Sequence, residues 1–272
     1  MDFSKDNWQQ EFDEEQFKQI LQGFEAGFTL EQIAIYADPK FNSIQMWEAR
    51  TGLKNGLTME QVAVYADQKF NDNQMKQIRL GLENGLTMEQ VAVYANPKFN
   101  WDQMLEIRTG FKNDLTMEQV AVYANPKFNY DQMRQIRLGF ENGLTMEKIA
   151  VYADSKFDDN QMIQIRAGFE KGFTMEQVAV YADPKFDSSQ MGEIRMSLEN
   201  HLSMEQVALY AKPYYKWEQM DAIRLELEKG LTKVKMYTNP KITNFQMKTV
   251  RTAMVDKLLE EETQLTNDKS DI

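Results

Sequence analysis

A 29-residue unit recurs along almost the whole of this 272-residue chain, and self-similarity at a fixed period of this length restricts the fold more tightly than any composition does. The segment FNSIQMWEARTGLKNGLTMEQVAVYADQK, from Phe41 to Lys69, recurs from Phe70, Phe99, Phe128, Phe157 and Phe186, with a divergent copy from Phe12. An eighth copy from Tyr215 is two residues short, and a half-copy from Ile242 reads as one longer helix. The expected organisation is an N-terminal extension over 1–11 and eight units over 12–241, starting at 12, 41, 70, 99, 128, 157, 186 and 215. A capping helix over 242–264 and a disordered tail over 265–272 complete it.

Within the unit, helix stops and starts alternate. All six prolines (Pro39, Pro97, Pro126, Pro184, Pro213 and Pro240) stand at one register position after the Tyr-Ala-Asp/Asn triplet or its equivalent, where proline ends a helix. Mid-unit glycines such as Gly56, Gly85 and Gly230 supply the left-handed residue that closes another. Each helix opens on a capping box, Asn71 with Gln74 in the first and Thr87 with Gln90 in the second. Helices of about 11 and 8 residues follow, too short to stand alone in water, so stacking on neighbours must hold them. The fold class expected is all-α, an α-solenoid of eight helix-turn-helix repeats with a C-terminal capping helix.

Advancing 100° per residue from the initial Phe, the near-invariant positions of the first helix (Gln74, Met75, Ile78, Arg79, Gly81 and Leu82) share one arc. The varying positions 3, 4, 7, 8, 11, 14 and 15 share the opposite one. The second helix is apolar nearly all round, which predicts packing on both sides.

Charge narrows the partners. With 42 acidic against 31 basic residues, the net charge of −11 works against attraction to nucleic acid or anionic lipid. No run of residues approaches the ~18 apolar residues of a membrane span. There is no cysteine, and the start of the chain has no signal-peptide pattern; a cytoplasmic protein without membrane attachment is the expectation.

Four rows of side chains are candidate functional features. Arg50, Arg79, Arg108, Arg137, Arg166, Arg195 and Arg224, with Arg251, occupy position 10, and such selectivity asks for a planar guanidinium. They form either a row of anion sites or, the expectation, an inter-repeat brace to carboxylates such as Glu89 and Glu118 or to helix C-terminal carbonyls. A tyrosine row (Tyr36, Tyr65, Tyr94, Tyr123, Tyr152, Tyr181 and Tyr210) is either a stacking groove or core, and core is expected, as it is for the methionines at Met46, Met59, Met75, Met88 and onward. Lysines at position 29, among them Lys40, Lys69 and Lys98, could track phosphates but are expected to be loop charges. Trp47, Trp101, Tyr130 and Trp217 stand on the varying arc, where large aromatics are typical of protein interfaces, and these are the expected partner-binding residues.

Catalytic patterns are missing: His201 is the only histidine, and no phosphate loop, nucleophile motif or metal-ligand spacing is present. No enzyme activity, cofactor or metal is expected.

The run from Tyr94 to Leu115 and its copies, YA(D/N)PKFxxxQMxxIRxG(L/F)xNGL, resembles short helical repeats in uncharacterised proteins of bacteria and their phages or mobile elements, over about residues 12–255. The resemblance implies a mobile-element protein that blocks a host defence factor. The reading is therefore a non-enzymatic protein-binding scaffold or inhibitor. Its alternatives are a nucleic-acid reader using the Arg, Lys and Tyr rows and a small-ligand sponge with one site per repeat interface.

Overall fold

The computed structural model describes residues 8–229, together with the helical positions Gln246 and Thr249. Apart from those two positions, the expected capping helix over 242–264 lies outside the described residues, as do the tail over 265–272 and Gly230, Pro240 and Arg251. Among the described residues every regular element is helical. A 3-10 turn at Trp8–Glu11 opens the chain, with the Trp8 ring against Phe12 and Phe17.

Long and short helices alternate as the repeat dictates. The first helices, each of 12 residues, are α1 (Glu14–Glu25), α3 (Ser43–Lys54), α5 (Asp72–Glu83), α7 (Trp101–Lys112), α9 (Tyr130–Glu141), α11 (Asp159–Glu170), α13 (Ser188–Glu199) and α15 (Trp217–Glu228). The second helices are α2 (Leu30–Ala34), α4 (Met59–Ala63), α6 (Met88–Tyr94), α8 (Met117–Tyr123), α10 (Met146–Ala150), α12 (Met175–Ala179) and α14 (Met204–Val207). The chain divides into two compact units, Met1–Met146 and Glu147–Ile272. In the first, α1, α3, α5, α7 and α9 pack in succession, and α2, α4, α6 and α8 each lie against the helix before them; in the second, α11, α13 and α15 pack in succession.

The capping-box glutamine has a second job. In α5, the Gln74 Oε1 accepts the Asn71 amide at 2.9 Å while its Nε2 donates to the Phe99 carbonyl, 25 residues on, at 2.7 Å. Gln45 and Gln103 repeat the link to Phe70 and Phe128, and in the second unit Gln161 reaches Phe186. A residue that starts one helix thus holds the loop that starts the next, which ties local capping to repeat stacking.

Beneath this link lies the core. In the unit from Phe70, the side chains of Phe70, Met75, Ile78, Leu82, Val91 and Tyr94 are all at most 4% exposed, each contributing about 1.5–3 kcal/mol by burial. Gly81 admits the second helix: a Cβ there would lie 1.8 Å from the Tyr94 hydroxyl oxygen. Gly52 and Gly110 stand in the same relation to Tyr65 and Tyr123, so the absent side chain at position 12 is the seat of the tyrosine. Where Ser197 takes that position, its hydroxyl hydrogen-bonds the Tyr210 hydroxyl.

Three expectations need correction. The second helix is not packed on both sides: Val91 and Tyr94 are buried, whereas Met88 and Ala92 are exposed. A helix of 4–7 residues has room for only one inward pair at i and i+3. The methionines therefore split, with Met46, Met75, Met104 and Met133 sealed at 0% exposure and Met59, Met88, Met117 and Met146 at 38–49%. Position 8 leaves the varying surface, since Glu48, Gln77, Glu106 and Gln135 are buried; the first three face the following first helix, where Arg79, Arg108 and Arg137 meet them.

Candidate functional site

The arginine row lies between consecutive first helices. Arg79 on α5 donates from Nε to Glu48 of α3 at 2.7 Å and from Nη1 to Glu83, one turn along its own helix, at 2.7 Å. Arg137 repeats the pattern with Glu106 at 2.8 Å and Glu141 at 2.6 Å. In the second unit Arg224 takes Glu193 at 3.0 Å and Glu228 at 2.8 Å, Arg195 takes the Gln164 amide oxygen and Glu199, and Arg166 takes Glu170. These arginines form an inter-repeat brace, but not with Glu89 and Glu118, which stand exposed in the first turns of α6 and α8. The carboxylates that serve come from the first helices instead: stacking brings position 8 of the preceding helix to position 10, one helical turn brings position 14, and Arg224 also takes Asp221 at position 7.

Burial pulls the Arg79 guanidinium down, and its hydrogen bonds to Glu83 and Glu48, with the charges of those carboxylates, outweigh that pull and leave Arg79 above its ordinary pKa. Burial likewise pushes the Glu48 carboxyl up against the opposing pull of Arg79. The 2.7 Å contact is the short geometry of a charge-assisted hydrogen bond.

Arg50 and Arg108 depart from this pattern. Each donates from Nε to an amide oxygen at 3.1 Å, of Gln19 and Gln77 respectively. One turn along their own helices stand Lys54 and Lys112 in place of a glutamate.

The tyrosine row is core. All seven rings are 0% exposed, and burial raises every hydroxyl, Tyr36 to about 12 and the others higher. The Tyr36 and Tyr65 hydroxyls donate weakly to the Gln19 and Glu48 carbonyls, at 3.4 and 3.3 Å, while those of Tyr94, Tyr123 and Tyr181 are buried without a partner. Such rings cannot stack on a ligand. Loop lysines sit in turns closed by the residue two before them, as Lys40 and Lys98 show with Asp38 and Asn96, and the Lys69 ammonium pairs with Asp67 at 2.9 Å.

The four aromatics of the varying arc remain outside the core. Trp47, Trp101 and Tyr130 on α3, α7 and α9 of the first unit are 40–43% exposed, and Trp217 on α15 of the second is 44% exposed. Trp47 lies under the Arg79 guanidinium at 5.7 Å from its ring centroid, a cation–π contact. Two neighbours escaped the sequence reading. Ile44 on α3 is 53% exposed, and Tyr214, next to α15, is 61% exposed. Tyr214 replaces the lysine of the other repeats and lines an open depression of about 300 Å³ with Pro213, Lys216 and Trp217; that break in the lysine column was its available signal. Among the described residues no group of acidic or histidine side chains could hold a metal ion, and no helix is long and apolar enough to cross a membrane.

No protein-family model, curated protein or solved structure matches the chain.

Proposed function

We propose that this protein is a non-enzymatic, cytoplasmic scaffold or inhibitor that binds a protein partner through the ridges of its first helices. One observation carries the reading. Trp47, Trp101, Tyr130 and Trp217 leave 40–44% of their surface in water, at first-helix positions where other repeats carry Lys18, Lys76, Ser43, Asp72, Asp159 and Ser188, whereas the tyrosine row is sealed in the core and Arg79, Arg137 and Arg224 are paired internally. Large rings held on a polar surface are what interfaces use to bury area at low entropic cost. The repeat resemblance suggests a host defence factor as the partner of a mobile-element protein.

Nucleic acid is the weaker reading. Its stacking platform would be the tyrosine row, which is buried, and a net charge of −11 opposes phosphate. Capture from a lysate of the source cell, beside a Trp47→Ala/Trp101→Ala/Trp217→Ala variant, tests the proposal. A protein retained by the natural chain and lost from the variant supports it; recovery of nucleic acid that washes off with salt, and of no protein, overturns it.

A further inference from the structure

We infer that Arg50 and Arg108 are receptor sites for two carboxylates presented by the partner, spaced two repeats apart in the first unit. The inference rests on the protein-binding reading for the source of those carboxylates, and on the brace itself for their chemistry. Sister repeats show what completes this guanidinium environment: Arg79 and Arg137 each hold two glutamates, one from position 8 of the preceding helix and one from position 14 of their own.

At Arg50 and Arg108 both carboxylates are missing, replaced by Gln19 and Lys54 at one and by Gln77 and Lys112 at the other. Only Nε has a partner there; among the described residues neither Nη atom of either arginine has one. These nitrogens are not among the side-chain atoms sealed from solvent without a partner, although Arg50 as a whole is only 9% exposed.

Support for an intrachain carboxylate has gone as well. Asn55 and Asn113, at the ends of α3 and α7, donate to Glu83 and Glu141 of the following helices at 2.8 Å. Ahead of Lys112, the equivalent Asn84 turns back onto the Leu80 carbonyl at 2.7 Å, and ahead of Lys54 the equivalent residue is Ala26. Burial leaves both guanidiniums below their ordinary pKa, opposite to Arg79 and Arg137. A largely buried cation with no counter-charge is costly to hold, and a bound carboxylate would offset that cost.

Placement agrees with this role. In the first unit, the two helices that carry these arginines, α3 and α7, are the two that carry a tryptophan on the ridge, Trp47 and Trp101. Successive first helices pack at roughly 8–10 Å, which sets the two sites about 16–20 Å apart. An extended peptide spans that distance with two acidic residues about six positions apart, both on one face.

The test uses the full chain with isotope-labelled arginine, following the Nε–H resonances. It is titrated first with acetate against chloride at equal ionic strength, then with a synthetic peptide carrying two glutamates six residues apart or only one. Arg50 and Arg108 should shift saturably with acetate while Arg79 and Arg137 stay in place, and the two-glutamate peptide should bind about tenfold or more tightly than the single one. The Lys54→Glu/Lys112→Glu variant supplies the intrachain carboxylate of the sister repeats and should silence both sites with its helical circular dichroism unchanged. Equal responses at all four arginines, or responses that survive in that variant, would overturn the inference. Partner loss in the tryptophan variant beside silent arginines would reject these sites and leave the aromatic ones standing.

Discussion

The amide of Gln74 must accept at one end and donate at the other, from Asn71 and to Phe99. Capping boxes tolerate Glu and Gln alike, yet the register holds glutamine at Gln16, Gln45, Gln74, Gln103, Gln132, Gln161, Gln190 and Gln219. A carboxylate would aim a second acceptor at a carbonyl in a place only 5% exposed. Gln74→Glu should therefore cost roughly 2–4 kcal/mol at pH 7. Burial beside a carbonyl raises the folded-state pKa of the new carboxyl, so its protonated form favours folding and the loss should shrink as the pH falls toward 4; urea midpoints at the two pH values measure this. Arg79 and Glu48 are similarly unequal. Arg79→Ala leaves Glu48 charged at 3% exposure and should cost about 3–5 kcal/mol. Glu48→Gln recreates the pairing of Arg50 with Gln19 and should cost under about 1 kcal/mol in the same denaturation assay.

Between elements, the decisive contact is that of each short helix with the long one before it, where Tyr94 seats on Gly81. Gly81→Ala should destabilise by at least about 2 kcal/mol despite the better helix propensity of alanine, because a Cβ 1.8 Å from the hydroxyl forces the short helix outward. Tyr94→Phe alone should be nearly neutral, since its hydroxyl is buried without a partner. Combined with Gly81→Ala it should restore most of the loss, and a double-mutant cycle on melting temperatures reads the coupling. This contact also marks how far the sequence could be read. The two helices, their caps and their stops are legible because each signal acts within a few residues, as with Asn71 and Gln74. The glycine at position 12 is visible as a pattern without its reason, and the partner of Arg79 is hidden because Glu48 lies 31 residues away. Exposure of Met88 was missed because apolar composition alone does not say how many faces a two-turn helix can cover.

At the scale of the molecule, seven buried tyrosines make alkali a uniform stress. Each folded-state pKa lies above the unfolded 10.0, with Tyr36 at about 12. Their contribution is therefore complete below pH 10 and is lost as the pH rises from 10 toward 12, at about 1.4 kcal/mol per pH unit for each tyrosine that ionises only on unfolding. In a chain with Tyr130, Tyr214, Tyr215 and Tyr237 replaced by Phe, circular dichroism and phenolate absorbance should change together in that window, and phenolate appearing near pH 10 with helix content intact would show the seven rings to be accessible. Function, by contrast, is assigned to residues outside this core. The aromatic ridge was legible as a departure from the repeat, because Trp101 and Trp217 stand where other units carry Ser43, Asp72, Asp159 and Ser188; what it binds was not, since the repeat records its own packing and not its partner's. The most direct test of this division is partner capture by the Trp101→Ala/Trp217→Ala chain at a temperature below its measured melting point. The account predicts an unchanged melting temperature with the partner lost, and a partner retained at full yield by that folded chain would contradict it.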